Sequence, residues 1–231
     1  RWNQKGPYFM NIDLGHDVAK KSFKYIYEEK SSRYFNNSCI HDNTYGCDIR
    51  EFDPNITRIR DSTLIYGNLQ SEKYFIHNKN DIKKWLKVKS KFDSYEFYNE
   101  NLCIINIRGG EYVGGDELFL KRKYWINGML NMKKVNGEME FITITDDVKT
   151  ACSILPEVKA LHFDLAKDYV SIKNARYLLL SNSSFAYFPA LTSSTVKFII
   201  APKYWARHNI SNGYWATAQN IYEGWHYQDR E

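Results

Sequence analysis

Nowhere does the sequence offer an apolar run approaching the roughly 20 residues that a membrane-spanning helix requires, so no transmembrane segment is expected. Cysteine is scarce as well. The four present, at 39, 47, 103 and 152, are too few and too scattered for a disulfide scaffold, and a reducing, cytoplasmic setting is the simpler expectation. Cys103 and Cys152 sit among apolar residues and read as small core side chains. Cys39, His41 and Cys47 lie close together, but their spacing fits no standard zinc pattern and a fourth ligand is missing, so no metal is expected. Internal repeats, low-complexity tails and a recognisable signal peptide are all lacking. Because the chain opens at Arg1 rather than Met, it is expected to be one domain of a larger polypeptide.

What is present is ordinary globular composition, 43% hydrophobic and 26% charged, in a chain of 231 residues, long enough to bury a full core. Aromatic residues stand out at 16%; such rings pack cores and also stack on flat or sugar-like ligands. A net charge of +5 suits a phosphate-bearing ligand, an anionic surface or nucleic acid. No DNA- or RNA-binding motif accompanies that charge, so no nucleic-acid partner is expected.

From about residue 101 the chain alternates apolar runs with amphipathic stretches, the sequence form of a parallel α/β sheet. Strands are expected at 102–108, 139–145, 158–164, 176–182 and 196–202. Between them come a helix over 115–134 opening on Asp116 and Glu117, a short helix after Asp147, a helix over 167–175 and a crossover from 184. Residues 1–98 hold Asn- and Tyr-rich loops and one expected helix at 80–89, and read as a reduced, irregular N-terminal lobe. Residues 99–231 read as a Rossmann-like lobe. In such a sheet ligands lie beyond the carboxyl ends of the strands, which brings together the segments "RGGEY", "TDD" and "SNSSF".

Arg108 ends the first of these strands. A guanidinium is permanently charged and its rigid fork fits phosphate oxygens, while Gly109 and Gly110 let an anion approach the main chain. The same segment also fits a surface turn with a structural arginine, and Glu111 fits either a base or a cap. Asn182, Ser183, Ser184 and Phe185 open a helix whose first N–H groups could hold an anion, or form an ordinary Asn/Ser cap. Asp146 and Asp147 could accept hydrogen bonds from a base or ribose, or serve as N-cap and first-turn acid.

The ordered set "GNLQSEKYF" (67–75), "INIRGGEYV" (105–113), "ITITDD" (142–147), "YLLLSNSSFAYF" (177–188) and "IIAPKYW" (199–205) resembles the motifs of the alpha-1,2-fucosyltransferases, glycosyltransferase family eleven, within the fucosyltransferase superfamily. The resemblance implies a GT-B-like α/β fold, with residues 1–98 as the acceptor side and 99–231 as the nucleotide-sugar-binding lobe, and metal-independent, inverting transfer of fucose from GDP-fucose to a hydroxyl of a glycan acceptor, with no cofactor. It implies that Arg108 holds the donor diphosphate, that Asn182, Ser183, Ser184 and Phe185 form a second phosphate-holding loop, and that Asp146 and Asp147 lie at the nucleotide edge. Asn106, Gly109 and Gly110 fall on the donor-binding motif, and Glu111 is the nearest base candidate, with Glu72, Asp13 and Asp48 as others. Gln70, Glu72 and Tyr74 fall on the "QSEKYF" segment as acceptor-side candidates. The family's histidine and second arginine stand here as Asn106 and Gly109, which brings in L-rhamnose as another donor sugar and a catalytically degenerate sugar- or nucleotide-binding module as the alternative function.

Overall fold

The computed structural model of the chain describes residues 7–12, 23–29, 32–33, 48–49, 52–67, 69, 71–115, 118–205 and 221–230. Two compact units divide between Lys87 and Val88, ahead of the boundary expected at 98/99. Residues 88–98 go with the second unit because they are tied to it. Asn174 Nδ2 donates to Asp93 Oδ1 and to the Ser94 carbonyl, both at 2.8 Å, and Phe97 packs 6.0 Å from Phe163.

The first unit is built from short pieces. Strands β1 (Tyr25–Glu28), β2 (Ser32–Arg33), β3 (Asp48–Ile49) and β4 (Thr63–Tyr66) form two separate two-stranded sheets, β1 with β4 in parallel and β2 with β3 antiparallel. Helix α1 (Lys79–Trp85) is shorter than the helix expected over 80–89. It closes at Leu86, whose N–H turns back to the Ile82 and Lys84 carbonyls. A hydrogen-bond knot holds the unit's interior: Tyr27 Oη donates to Asp53 Oδ2 at 3.0 Å, and the Asp53 N–H donates to Tyr74 Oη at 3.0 Å.

The second unit follows the sequence pattern more closely. In chain order it contains β5 (Leu102–Ile107), α2 (Arg122–Val135), β6 (Glu140–Thr145), α3 (Val148–Ile154), β7 (Lys159–Leu161), α4 (Leu165–Lys173), β8 (Tyr177–Leu180), α5 (Ser184–Thr192), β9 (Phe198–Pro202) and β10 (His226–Gln228). The strands form one parallel sheet in the order β10-β9-β8-β5-β6-β7. Counted from β5 as the first strand, that is the doubly wound order 3-2-1-4-5-6, whose direction reverses between β5 and β8. The α/β class and the C-terminal Rossmann-like sheet are therefore as the sequence implied.

Continuous apolar runs make these strands because parallel sheets are covered on both faces. On β5, Cys103, Ile105 and Ile107 belong to the cluster formed with Tyr124, Trp125 and Met132 of α2 and Ala151 of α3. Alternate residues Ile104, Leu178 and Leu180 are equally buried, and α4 and α5 pack against β5, β6 and β8. Gly128 permits the close seat of α2, since a Cβ there would stand 2.5 Å from Leu179 Cδ1.

Several expectations are corrected. Helix α2 starts at Arg122 rather than near 115, because Leu118 and Phe119 instead turn back to the Gly115 carbonyl; Asp116 and Glu117 lie outside the described residues. Strand β7 stops at Leu161, since the Phe163 N–H is taken by Asp168 Oδ1 and Asp164 caps α4 through the Lys167 N–H. Cys152 is exposed rather than core, as Ala151 is the residue of α3 that faces inward. A sixth strand, β10, joins the sheet.

Candidate functional site

The reversal of strand order leaves a crevice beyond the carboxyl ends of β5 and β8. Arg108 follows β5 and Ser181–Phe185 follow β8, so the topology itself puts the two motifs side by side. Asn106 anchors this floor. Its Nδ2 donates to the Ile144 carbonyl at 3.0 Å and its Oδ1 accepts from Ser181 Oγ at 3.1 Å, so one buried amide staples β5 to both neighbours.

The Arg108 fork is held by two carboxylates. Nη1 lies 2.7 Å from Asp146 Oδ2 and Nη2 lies 2.5 Å from Glu111 Oε1. The Gly109 N–H donates to the other Asp146 oxygen at 2.8 Å, and so fixes that carboxylate in place. Burial works to lower the guanidinium's pKa, but the bond to Glu111 and the charge of Asp146 outweigh it and raise the group further. The bond from Arg108 in turn lowers Glu111. Glu111 is 65% exposed, so its partnership is the looser of the two.

Both glycines are required by close approach. A Cβ on Gly109 would meet Asp147 Cβ at 2.6 Å, and Gly110 has φ +50° with Asp146 Oδ2 3.0 Å from its Cβ position. Asp147 is occupied in capping α3. It accepts from the Thr150 N–H at 3.0 Å and from Thr150 Oγ1 at 2.6 Å, and the Thr150 hydroxyl bond holds its pKa low.

On the other side, Ser183 is the N-cap of α5 and makes no side-chain capping bond, so its first N–H groups are not closed by its own hydroxyl. Ser184 is exposed, and Phe185 stands edge-on to Tyr169 at 6.1 Å. Asn182 is buried and turned away from the crevice: its Nδ2 donates to the Leu118 carbonyl at 3.0 Å and to the Trp205 carbonyl at 2.5 Å, while its own carbonyl accepts from Tyr112 Oη at 3.3 Å. Arg108, Gly109, Gly110, Glu111, Asp146, Asp147 and the 182–185 loop are thus brought together around one set of strand ends.

A cleft of about 130 Å³ opens there, lined among others by Arg108, Asp146, Phe185, Leu165, His162 and Asp168. His162 and Asp168 were not foreseen. Nδ1 of His162 lies 2.7 Å from Asp168 Oδ2, and Asp168 Oδ1 accepts from the Phe163 N–H at 3.0 Å. Burial raises the Asp168 pKa, while the Phe163 and His162 bonds work against it. The lining of the cleft therefore includes a guanidinium, a carboxylate paired with an imidazole, and an aromatic ring.

The acceptor-side candidates lie in the first unit. Glu72 is buried with Lys79 Nζ 3.4 Å away, and Tyr74 packs edge-on to Phe52 at 5.0 Å. Gln70 and Asp13 lie outside the described residues, as do Cys39, His41 and Cys47 and the side chain of Asp48. Among the described residues no group of three His, Cys, Asp or Glu side chains is placed to hold a metal ion, and no helix is long and apolar enough to cross a membrane.

No family model matches the chain, and no curated protein does. Among solved structures it is similar to POFUT1 in complex with GDP, at 10% identity and a TM-score of 0.42, covering 63% of this chain and 57% of that one. Two structures of POFUT1 in complex with GDP-fucose give TM-scores of 0.42 and 0.41 at 10% identity, covering 63% of this chain and 56% and 55% of theirs. The chain thus spans little more than half the length of these structures.

Proposed function

We propose that the chain is a glycosyltransferase of GT-B-like architecture that takes a sugar from a nucleoside-diphosphate donor and transfers it to a hydroxyl of a glycan acceptor. The observation that supports it most is the placement of Arg108 at the switch point of the sheet, where it lines a cleft of about 130 Å³ together with Phe185 from the start of α5. GDP-fucose is the first donor to test and an L-rhamnose donor the second, with the resemblance of the five motifs to family eleven as the ground for that order.

In this reading the diphosphate takes the Arg108 fork from Glu111, while Asp146 keeps its hold because the Gly109 N–H fixes it. The base lies along Phe185, where Asp168 and His162 offer hydrogen bonds to a base edge. The acceptor oxygen attacks the anomeric carbon as the carbon–oxygen bond to the diphosphate breaks. The electron pair goes to the departing phosphate oxygen, stabilised by Arg108 and the first N–H groups of α5. The acceptor proton passes to a carboxylate, for which the released Glu111 is the candidate beside Arg108. Attack from the face opposite the leaving group inverts the anomeric centre. These residues could perform the transfer without a metal ion, because Arg108 and main-chain N–H groups supply the positive charge.

One observation favours a second reading, a binding module without turnover: the Arg108 fork is already neutralised by two carboxylates. Calorimetric titration of GDP, UDP, ADP and dTDP into wild type and Arg108→Met, with and without EDTA, tests the site. At about 100 times its dissociation constant the correct diphosphate adds roughly 2.7 kcal/mol of stability to the wild type alone. Turnover of GDP-fucose followed by NMR then separates enzyme from binding module and gives the product anomer. Binding of no diphosphate would overturn the transferase reading and leave only a sugar-binding form of the second.

A further inference from the structure

Two carbonyls stand between the anion loop and a segment distant in sequence. The Trp205 carbonyl, after β9, accepts from Asn182 Nδ2 at 2.5 Å and from Arg230 Nη1 at 2.7 Å. The Leu118 carbonyl, beyond the Arg108 loop, accepts from Asn182 Nδ2 and from Arg230 Nη2, both at 3.0 Å. Asn182 and Arg230, 1% and 3% exposed, thus grip the same pair of oxygens. We infer that Arg230 is a positioning residue of the donor site, an inference that rests on the function proposed above.

An asparagine amide has two N–H groups, and both are used on these oxygens. By itself it would tether two otherwise separate loops through neutral bonds. The guanidinium adds a planar, charged fork whose two arms match the two carbonyls, which fixes their spacing and hence the Asn182 side chain between them. Asn182 immediately precedes Ser183, the N-cap of α5, and its carbonyl is held by Tyr112 from the Arg108 loop. The height of the α5 N-terminus relative to Arg108 is therefore set partly from residue 230. The segment that carries Arg230 is itself anchored: β10 pairs with β9, and Trp225 and Tyr222 pack edge-on to Tyr187 of α5 at 5.0 and 5.5 Å.

A merely structural role would reduce stability and leave ligand affinity alone, and the same segment supplies the control. Gln228 Nε2 donates to the Tyr124 carbonyl at 2.7 Å and Gln228 Oε1 accepts from Asn131, so it ties the segment to α2 without touching the anion loop. GDP titration is run on wild type, Arg230→Met, Arg230→Lys, Gln228→Ala, Asn182→Ala and the Arg230→Met/Asn182→Ala pair, well below each melting point. Arg230→Met is expected to weaken GDP about tenfold, Arg230→Lys to recover part of that, and Gln228→Ala to lower the melting temperature with affinity unchanged. Losses at 182 and 230 should be less than additive, because each acts through the other. GDP binding by Arg230→Met within twofold of wild type would overturn the inference, and Arg230→Gln, which lacks the charged fork, serves the same comparison if the methionine variant does not fold. Should wild type bind no diphosphate, the donor-site reading falls, and hydrogen exchange over residues 181–188 then decides. Faster exchange in the Arg230 variants and not in Gln228→Ala sustains the positioning role, and equal exchange ends it.

Discussion

Replacing Glu111 by glutamine should tighten GDP binding while it removes transfer. In the unliganded site Glu111 Oε1 lies 2.5 Å from the Arg108 fork, so it must leave before a phosphate oxygen can take that place. Its 65% exposure makes this cheap: an exposed ion pair is worth about 0.2–1 kcal/mol, whatever the bare Coulomb figure at contact distance. Once displaced, the carboxylate remains near the diphosphate. At roughly 7 Å in water each phosphate charge repels it by about 0.6 kcal/mol, and salt near 0.15 M removes about half of that. The two effects sum to about 1–1.5 kcal/mol, or roughly five- to tenfold in the dissociation constant. Calorimetry at 50 and 500 mM NaCl measures it, and the advantage of the variant should shrink at high salt. Turnover in the same preparation should fall by roughly 10²- to 10⁴-fold if Glu111 takes the acceptor proton. Unchanged or weaker GDP binding by Glu111→Gln would refute the displacement argument, and tight binding with full turnover would remove Glu111 as the base.

Gly109→Ala should destabilise the second unit by about 1–3 kcal/mol in urea unfolding, because the new methyl meets Asp147 Cβ at 2.6 Å. Asp147→Ala should cost about 1 kcal/mol through loss of the α3 cap. Because the folded Asp147 pKa is depressed, that contribution is complete above the ordinary value of 3.8 and disappears as pH falls through the lower folded value; wild-type and variant stabilities should converge there in a pH series. Of the two described cysteines, Cys152 should react with iodoacetamide in the native protein, whereas Cys103, buried with its thiol pKa pushed up, should react only on unfolding.

Strands β5, β6, β8 and β9 were legible because a strand covered on both faces must be apolar nearly throughout, and "LCIINI" or "YLLL" leaves no other reading. The meeting of Arg108 with the 181–185 segment was legible for a related reason: strand ends at a switch point converge whatever the side chains are. The same rule could have found His162, which stands just past β7, but "HFD" was absorbed into the strand and Asp168 into a helix face. Strand β10 has three residues and no apolar period, and it is defined by its pairing with β9 rather than by its own pattern. The sharing of two carbonyls by Asn182 and Arg230 left no sequence signal, since main-chain oxygens accept from any donor that the fold delivers. In the first unit short strands, 3₁₀ turns and side-chain knots replace regular alternation, so periodicity had little to report.

The Asn106 amide bears on motion as well as on shape. A parallel ladder loses its last rungs first, and the ends of β6, β5 and β8 are where those rungs run out. By bonding to Ile144 on one side and Ser181 on the other, the amide adds a lateral rung in each direction just before the chain departs toward Arg108 and Asp146. The three strand ends are thereby linked to one another, and part of their ordering is completed when the chain folds. Slow amide exchange at Ser181 and Thr145 in the unliganded protein would be the trace of that early ordering.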